Sequence, residues 1–204
     1  MSALTDLYRE IAVCRKCEIS RSRTKAVPGE GAENAEVMFI GEAPGWHEDQ
    51  QGRPFVGPAG KFLDELLASI HLNREQAYIT NVIKTRPPGN RDPLPIEISN
   101  CQHWLDRQIE LIHPKIIVTL GRYSMAKFFP GKSISKIHGT AQEQNGIIYF
   151  AMYHPAAALH QGNLRQVIEQ DILKLPQILE QARTPVVNEL EVKPEPKPEQ
   201  LSMF

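Results

Sequence analysis

The chain has no run of about eighteen apolar residues, so no membrane-spanning helix is expected. Its opening, "MSALTDLYREIAVCRKC", has neither the apolar stretch nor the small-residue cleavage site of a secretory leader, and a cytoplasmic protein is the expectation. It also lacks an excess of charge: 23 basic against 24 acidic residues leave a net charge of −1. Bulk charge therefore neither announces nor forbids nucleic acid. No internal repeat is present, which removes solenoids and propellers.

What is there is an ordinary globular composition, 41% apolar and 23% charged, in 204 residues, enough for one domain with a core and a tail. From Thr184 onward the chain is rich in Pro, Glu and Lys, a composition that cannot bury itself, so disorder is expected over 184–204 and a folded body over 1–183. The tail removes Glu189, Glu191, Glu195, Glu199, Lys193 and Lys197, which leaves the body 21 basic and 20 acidic residues, or +1. Basic residues gather in "CRKCEISRSRTK" and "KTRPPGNR".

Short apolar runs, "AEVMFIG", "AYITNVIK", "KIIVTLG" and "GIIYFAMYHP", read as four strands. Between them, helices are expected over residues 3–13, "AGKFLDELLASI", "PIEISNCQHWLDRQIELIH", "RYSMAKFF" and the continuous "NLRQVIEQDILKLPQILEQA". The alternation predicts an α/β three-layer sandwich around a mostly parallel four-stranded sheet. In such sheets sites form at the carboxyl ends of the strands, where the loop "GEAPGWHEDQQGRPFVGPAG", Asn81–Lys84 and His154–Pro155 all fall.

"GEAPGWHEDQQGRPFVGPAG", "YITNVIKTRPPGNRDPLP" and "YHPAAAL", in that order and spacing, resemble the uracil-DNA glycosylase superfamily, specifically the family 4 enzymes that carry an iron–sulfur cluster. The resemblance spans about residues 7–180. It implies a four-stranded parallel sheet flanked by helices and a monofunctional enzyme, a monomer, that flips uracil out of single- or double-stranded DNA and cuts its glycosidic bond, leaving an abasic site. A second reading is a uracil- or damage-binding module of the same fold without turnover; a third, a redox or metal-handling protein, draws on Cys14-Arg-Lys-Cys17 alone.

The residues suit base excision. A flipped base needs a stacking face, a reader for its pairing edge and a stabiliser for the leaving anion. Phe55, held between Pro54 and Val56, offers the first. Asn81 carries a donor and an acceptor for uracil O4 and N3–H, and His154 can donate to O2 as charge develops. Gly41, Ala43 and Gly45 let the backbone approach the base. A related family carries an aspartate where this chain has Ala43, so water activation falls to Glu48, with Glu42 supporting the loop. Asn90 matches a family asparagine near the same site. Leu159 is the expected wedge into the duplex, with His160, Arg165, Arg86 and Arg91 as backbone contacts.

The resemblance also implies a 4Fe–4S cluster held by four cysteines. Cys14, Cys17 and Cys101 match three of them, and Thr85 stands where the fourth belongs. A hydroxyl is a poor substitute for a thiolate at iron. Three possibilities stay open: a labile cluster with a weaker fourth ligand from Thr85, His103 or water; no cluster; or Thr85 as an introduced change. Finally, "QLSMF" (Gln200, Leu201, Ser202, Met203, Phe204) resembles the short peptide by which bacterial repair proteins dock on the sliding clamp.

Overall fold

The computed structural model describes residues 2–184. The tail, including Gln200, Leu201, Met203 and Phe204, lies outside the described residues. The strands are β1 (Glu30–Gly31), β2 (Val37–Gly41), β3 (Tyr78–Asn81), β4 (Ile116–Leu120), β5 (Ala141–Gln144) and β6 (Ile147–Met152). The α-helices are α1 (Ala3–Val13), α2 (Trp46–Gln51), α3 (Pro58–Ser69), α4 (Pro95–Ile112), α5 (Arg122–Phe128), α6 (Ile134–Ile137), α7 (Pro155–His160), α8 (Gly162–Ile172) and α9 (Leu175–Arg183).

The four expected strands form and run parallel in the order β3-β2-β4-β6. The sheet nevertheless has six strands, not four: β1 adds antiparallel to β3, and β5 adds antiparallel to β6. Residues of β2, β3 and β4 are buried throughout, because helices cover both faces of the parallel core, and so their sequences are apolar runs rather than alternations.

Two apolar layers flank the sheet. On one face Leu4, Leu7 and Ile11 of α1 pack with Cys101, Trp104, Leu105 and Ile112 of α4 against Met38, Ile40 and Ile117. On the other, Phe62, Leu63, Leu66 and Leu67 of α3 join Ile168 and Ile172 of α8 against Phe39, Val118 and Phe150. Pro58 and Pro95 sit in the first turns of α3 and α4, where a missing N–H costs nothing. The last helical stretch is broken rather than continuous. Pro176 cannot donate back to Ile172 and its ring crowds that carbonyl, so α8 ends and α9 starts at Leu175. Two segments expected as loops contain helices: α2 lies inside the "GEAPG" segment, and α7 follows His154 directly.

Candidate active site

The carboxyl ends of β2, β3 and β6, with the start of α7, enclose a cavity of about 470 Å3, within the usual range of ~300–1,000 Å3 for a small-ligand site. Glu42, Ala43, Glu48, Phe55, Asn81 and His154 line it, together with the exposed Asn90, Arg91, Leu159 and His160. The fold therefore brings together residues up to 118 positions apart.

Phe55 is buried with a left-handed backbone, φ 51°, unusual for a bulky residue. Its surroundings enforce this. A β-carbon on Gly60 would lie 1.9 Å from the Phe55 carbonyl oxygen, and one on Gly41 would lie 2.6 Å from the Phe55 ring. Glycine at both positions is what lets the ring reach the cavity wall, where it stacks on His154 with centroids 5.5 Å apart and planes 26° apart.

Asn81 ends β3, paired with Gly41 across the parallel ladder. Its Oδ1 is buried and has no hydrogen-bond partner, the one such side-chain atom among the described residues. An orphaned buried acceptor costs about 1–3 kcal/mol, so its persistence in a cavity wall points to a ligand donor.

His154 caps α7: its Nδ1 accepts from the Ala156 N–H at 3.1 Å. That bond places the ring proton on Nε2. Desolvation pushes its pKa down to about 4, against a small upward pull from Glu48, so the ring is neutral near pH 7. A neutral imidazole with a free Nε2–H is a hydrogen-bond donor, not a general acid.

The two glutamates differ sharply. Glu48 Oε1 accepts from the N–H groups of Val56 (2.9 Å) and Gly57 (2.8 Å), and Oε2 from that of Gly45 (3.0 Å). Its carboxylate is a clasp across the loop that carries Phe55. Glu42 accepts only from main-chain N–H groups at the start of α5, that of Tyr123 at a long 3.4 Å and that of Arg122, and burial raises its pKa.

The expected DNA contacts divide. Leu159 and Trp46, 49% and 52% exposed, stand at the mouth. Trp46 carried no assigned role in the sequence; its place at the amino end of a two-turn helix was not legible. Arg86 Nε donates to Asn90 Oδ1 at 2.6 Å. Arg91 is paired with Glu97 at 2.6 Å. Arg165 does not line the cavity; it pairs with Glu65 and Glu169 and lies over the Phe62 ring.

Beneath Asn81 lies a second residue without an assigned role. Lys84 is 1% exposed, and its Nζ bonds Thr80 Oγ1 (2.6 Å), the Asn81 carbonyl (2.7 Å) and Gln108 Oε1 (2.6 Å). Burial pushes its pKa down to about 7, but three acceptors are what an ammonium, not an amine, can satisfy.

The donors expected for a cluster are Cys14, at the end of α1, Cys17, just beyond it, and Cys101, in α4. The Thr85 hydroxyl accepts from Arg23 Nη1 at 3.1 Å, and His103 Nε2 lies 3.2 Å from Lys16 Nζ. Burial pushes the Cys17 and Cys101 thiols up, and Cys101 Sγ accepts from the Lys84 N–H at 3.3 Å. Among the described residues no three His, Cys, Asp or Glu side chains form a metal-holding group. Three thiols and a hydroxyl already bonded to arginine do not fit a four-thiolate cluster, and no step below passes through one.

The family model described as "Uracil DNA glycosylase superfamily" matches residues 28–174. The type-4 uracil-DNA glycosylase of Sulfurisphaera tokodaii is 49% identical, over 86% of this chain and 84% of its own. That of Archaeoglobus fulgidus is 47% identical, over 86% and 92%, and that of Thermotoga maritima 42%, over 79% and 86%. With the parallel sheet and the cavity at its carboxyl edge, these matches lead to one conclusion: the chain belongs to the uracil-DNA glycosylase superfamily and is similar throughout its body to the type-4 enzymes.

Proposed function

We propose that this protein removes uracil from DNA by hydrolysing the bond between the base and its deoxyribose. The orphaned Oδ1 of Asn81 carries the reading. Uracil supplies the missing donor through N3–H, and its O4 accepts from the Asn81 amide. Cytosine, with an acceptor at N3 and a donor at N4, reverses that pattern. Phe55 stacks on the flipped base.

As the glycosidic bond lengthens, the sugar gains positive charge and the base negative charge. His154 Nε2–H donates to uracil O2, where the anion accumulates. Because the ring starts neutral, the uracil leaves as an anion stabilised by a hydrogen bond, and His154 keeps its proton. Glu42 takes the role of positioning the attacking water and accepting its proton; its raised pKa, and the three short bonds that already hold the Glu48 carboxylate, favour this over Glu48. Glu48 then holds the Phe55 loop, the reverse of the assignment made from sequence.

Incubation with a uracil-containing oligonucleotide followed by alkali tests the activity. Strand cleavage at the uracil is expected, and binding without cleavage supports the binding-module reading instead.

Two parts of the reading rest on resemblance. Iron–sulfur binding is proposed as weak, limited by Thr85: anaerobically purified protein should hold well under one cluster's iron, and Thr85→Cys should raise iron and sulfide together. Equal iron in both proteins contradicts this. Docking on a sliding clamp is proposed for Gln200–Phe204, through Leu201, Met203 and Phe204 as apolar anchors. Deleting those five residues should abolish clamp binding and leave uracil release within about twofold, since tethering adds local concentration and not chemistry.

A further inference from the structure

An ammonium buried to 1% exposure needs a reason. Removing a charge from water costs several kcal/mol, and an apolar side chain of similar volume in its place is often neutral or stabilising. Lys84 sits beside an apolar layer that would accept one. What the ammonium supplies instead is three hydrogen bonds, and one of them goes to the main-chain carbonyl of Asn81.

That carbonyl lies at the edge of regular structure. β1 pairs only with Tyr78 and Ile79, so among the described residues no strand continues beside Asn81 on that side. On the other side, the Val82 and Ile83 N–H groups bond the carbonyls of Gly41 and Glu42, at 3.0 and 3.2 Å. Lys84 Nζ thus does for Asn81 what a neighbouring strand would otherwise do. Its remaining bonds reach Thr80 and Gln108. Gln108 Nε2 in turn donates to the Pro28 carbonyl and to Tyr78 Oη, both at 2.8 Å, and Tyr8 Oη donates to Tyr78 Oη, also at 2.8 Å. The end of β3 is fastened through one nitrogen to α4, to the Pro28 segment and to α1.

We propose that Lys84 is a positioning residue for base recognition: it fixes the Asn81 main chain so that the side-chain amide meets the uracil edge at one distance and angle. This rests on the reader role of Asn81 proposed above. The amide is attached through two rotatable bonds to a backbone that Lys84 holds, and a displacement on the order of 1 Å in a positioning group can cost about 10²-fold in rate.

A double-mutant cycle in the full-length chain separates positioning from stability. Single-turnover uracil release from a single-stranded oligonucleotide is measured for the parent, Lys84→Met, Asn81→Ala and the double variant, with melting temperatures alongside. Lys84→Arg is carried through the same cycle as a second variant, because it keeps the charge while changing the geometry of the donors. Gln108→Met is the control, since it breaks the same network one bond further from Asn81. Lys84→Met, or Lys84→Arg in its place, should slow release ~10- to 100-fold in the parent and less than about threefold in the Asn81→Ala background. Gln108→Met should lower the melting temperature while keeping the rate within about threefold. Losses that multiply between Lys84 and Asn81, or a Gln108→Met loss as large as that of Lys84→Met, overturn the positioning role and leave the reader role standing. If Asn81→Ala itself releases uracil at the parent rate, the reader role falls and this proposal falls with it.

Discussion

His154 and Glu42 are opposite cases of the same burial. Desolvation disfavours the charged form of each, so the histidine loses its proton more readily and the glutamate keeps its proton longer. In the unfolded chain His154 takes up a proton near 6.5, and in the fold only near 4. The stability that its neutral form contributes is therefore present above 6.5 and is lost as pH falls from 6.5 through 4. Glu42 has the opposite sense: its folded pKa exceeds the unfolded 4.5, so its ionisation weighs against the fold as pH rises through that window. Between about pH 5 and pH 8 His154 is thus neutral, and under the proposed roles an acid limb in uracil release is expected from Glu42 and not from His154. A rate–pH profile of the parent, His154→Ala and Glu42→Gln checks this. His154→Ala should slow the reaction ~10²- to 10³-fold, as for a lost oxyanion donor, and keep the acid limb. Glu42→Gln should slow it ~10²-fold or more and abolish the limb. A limb near 6.5 that disappears with His154 contradicts the neutral-donor assignment. Glu48→Gln should act differently. It weakens the three-bond clasp, so the melting temperature falls and the rate falls only in proportion to the loop's loosening.

At the scale of elements, the loop holding Phe55 is fixed from below by Gly60 and across by Glu48. Gly60→Ala places a methyl against the Phe55 carbonyl, and backbone atoms cannot yield as a flexible side chain would. Loss of about 1–3 kcal/mol of stability is expected with loss of activity, read by thermal melting and uracil release; unchanged values for both would show that the loop is not locked there. Legibility follows from pattern length. The four parallel strands and α3 and α4 were readable because their apolar runs or helical faces are long and buried. α2 spans six residues with no apolar face and is bounded by Gly45 and Gly52, so it looked like loop. β1 has two residues, too few for any period. β5 is exposed throughout and polar, "AQEQ", yet Asn145-Gly146, both with positive φ, is a hairpin signature that the sequence carried and that marks the β5–β6 turn. α7 had its signals too, a capping histidine followed by proline. The grouping of Phe55, Asn81 and His154 around one cavity was legible, because the motifs that carry them are long. Which backbone N–H groups fold back onto Glu48 was not legible, and the division of labour proposed for Glu42 and Glu48 depends on it.

At the scale of the molecule, the parallel order β3-β2-β4-β6 places one end of every central strand at the same edge, and the cavity forms there. The N-terminal segment, α4 and the chain after β3 meet on one side of that edge, held by Arg23 bonding Thr85 and the Ala12 carbonyl and by the Lys84 network. The proposed chemistry puts Asn81 as reader and His154 as neutral donor in this cavity, where uracil is cut from DNA. The most direct measurement is chromatographic quantification of free base from a single-stranded oligonucleotide carrying one uracil, for the parent, Asn81→Ala and His154→Ala. One equivalent of free uracil and one alkali-labile site per strand are expected for the parent. Both variants should be slower by ~10²-fold or more, with DNA binding retained. No free uracil from a folded, DNA-binding parent, or release unchanged by both substitutions, would contradict that chemistry.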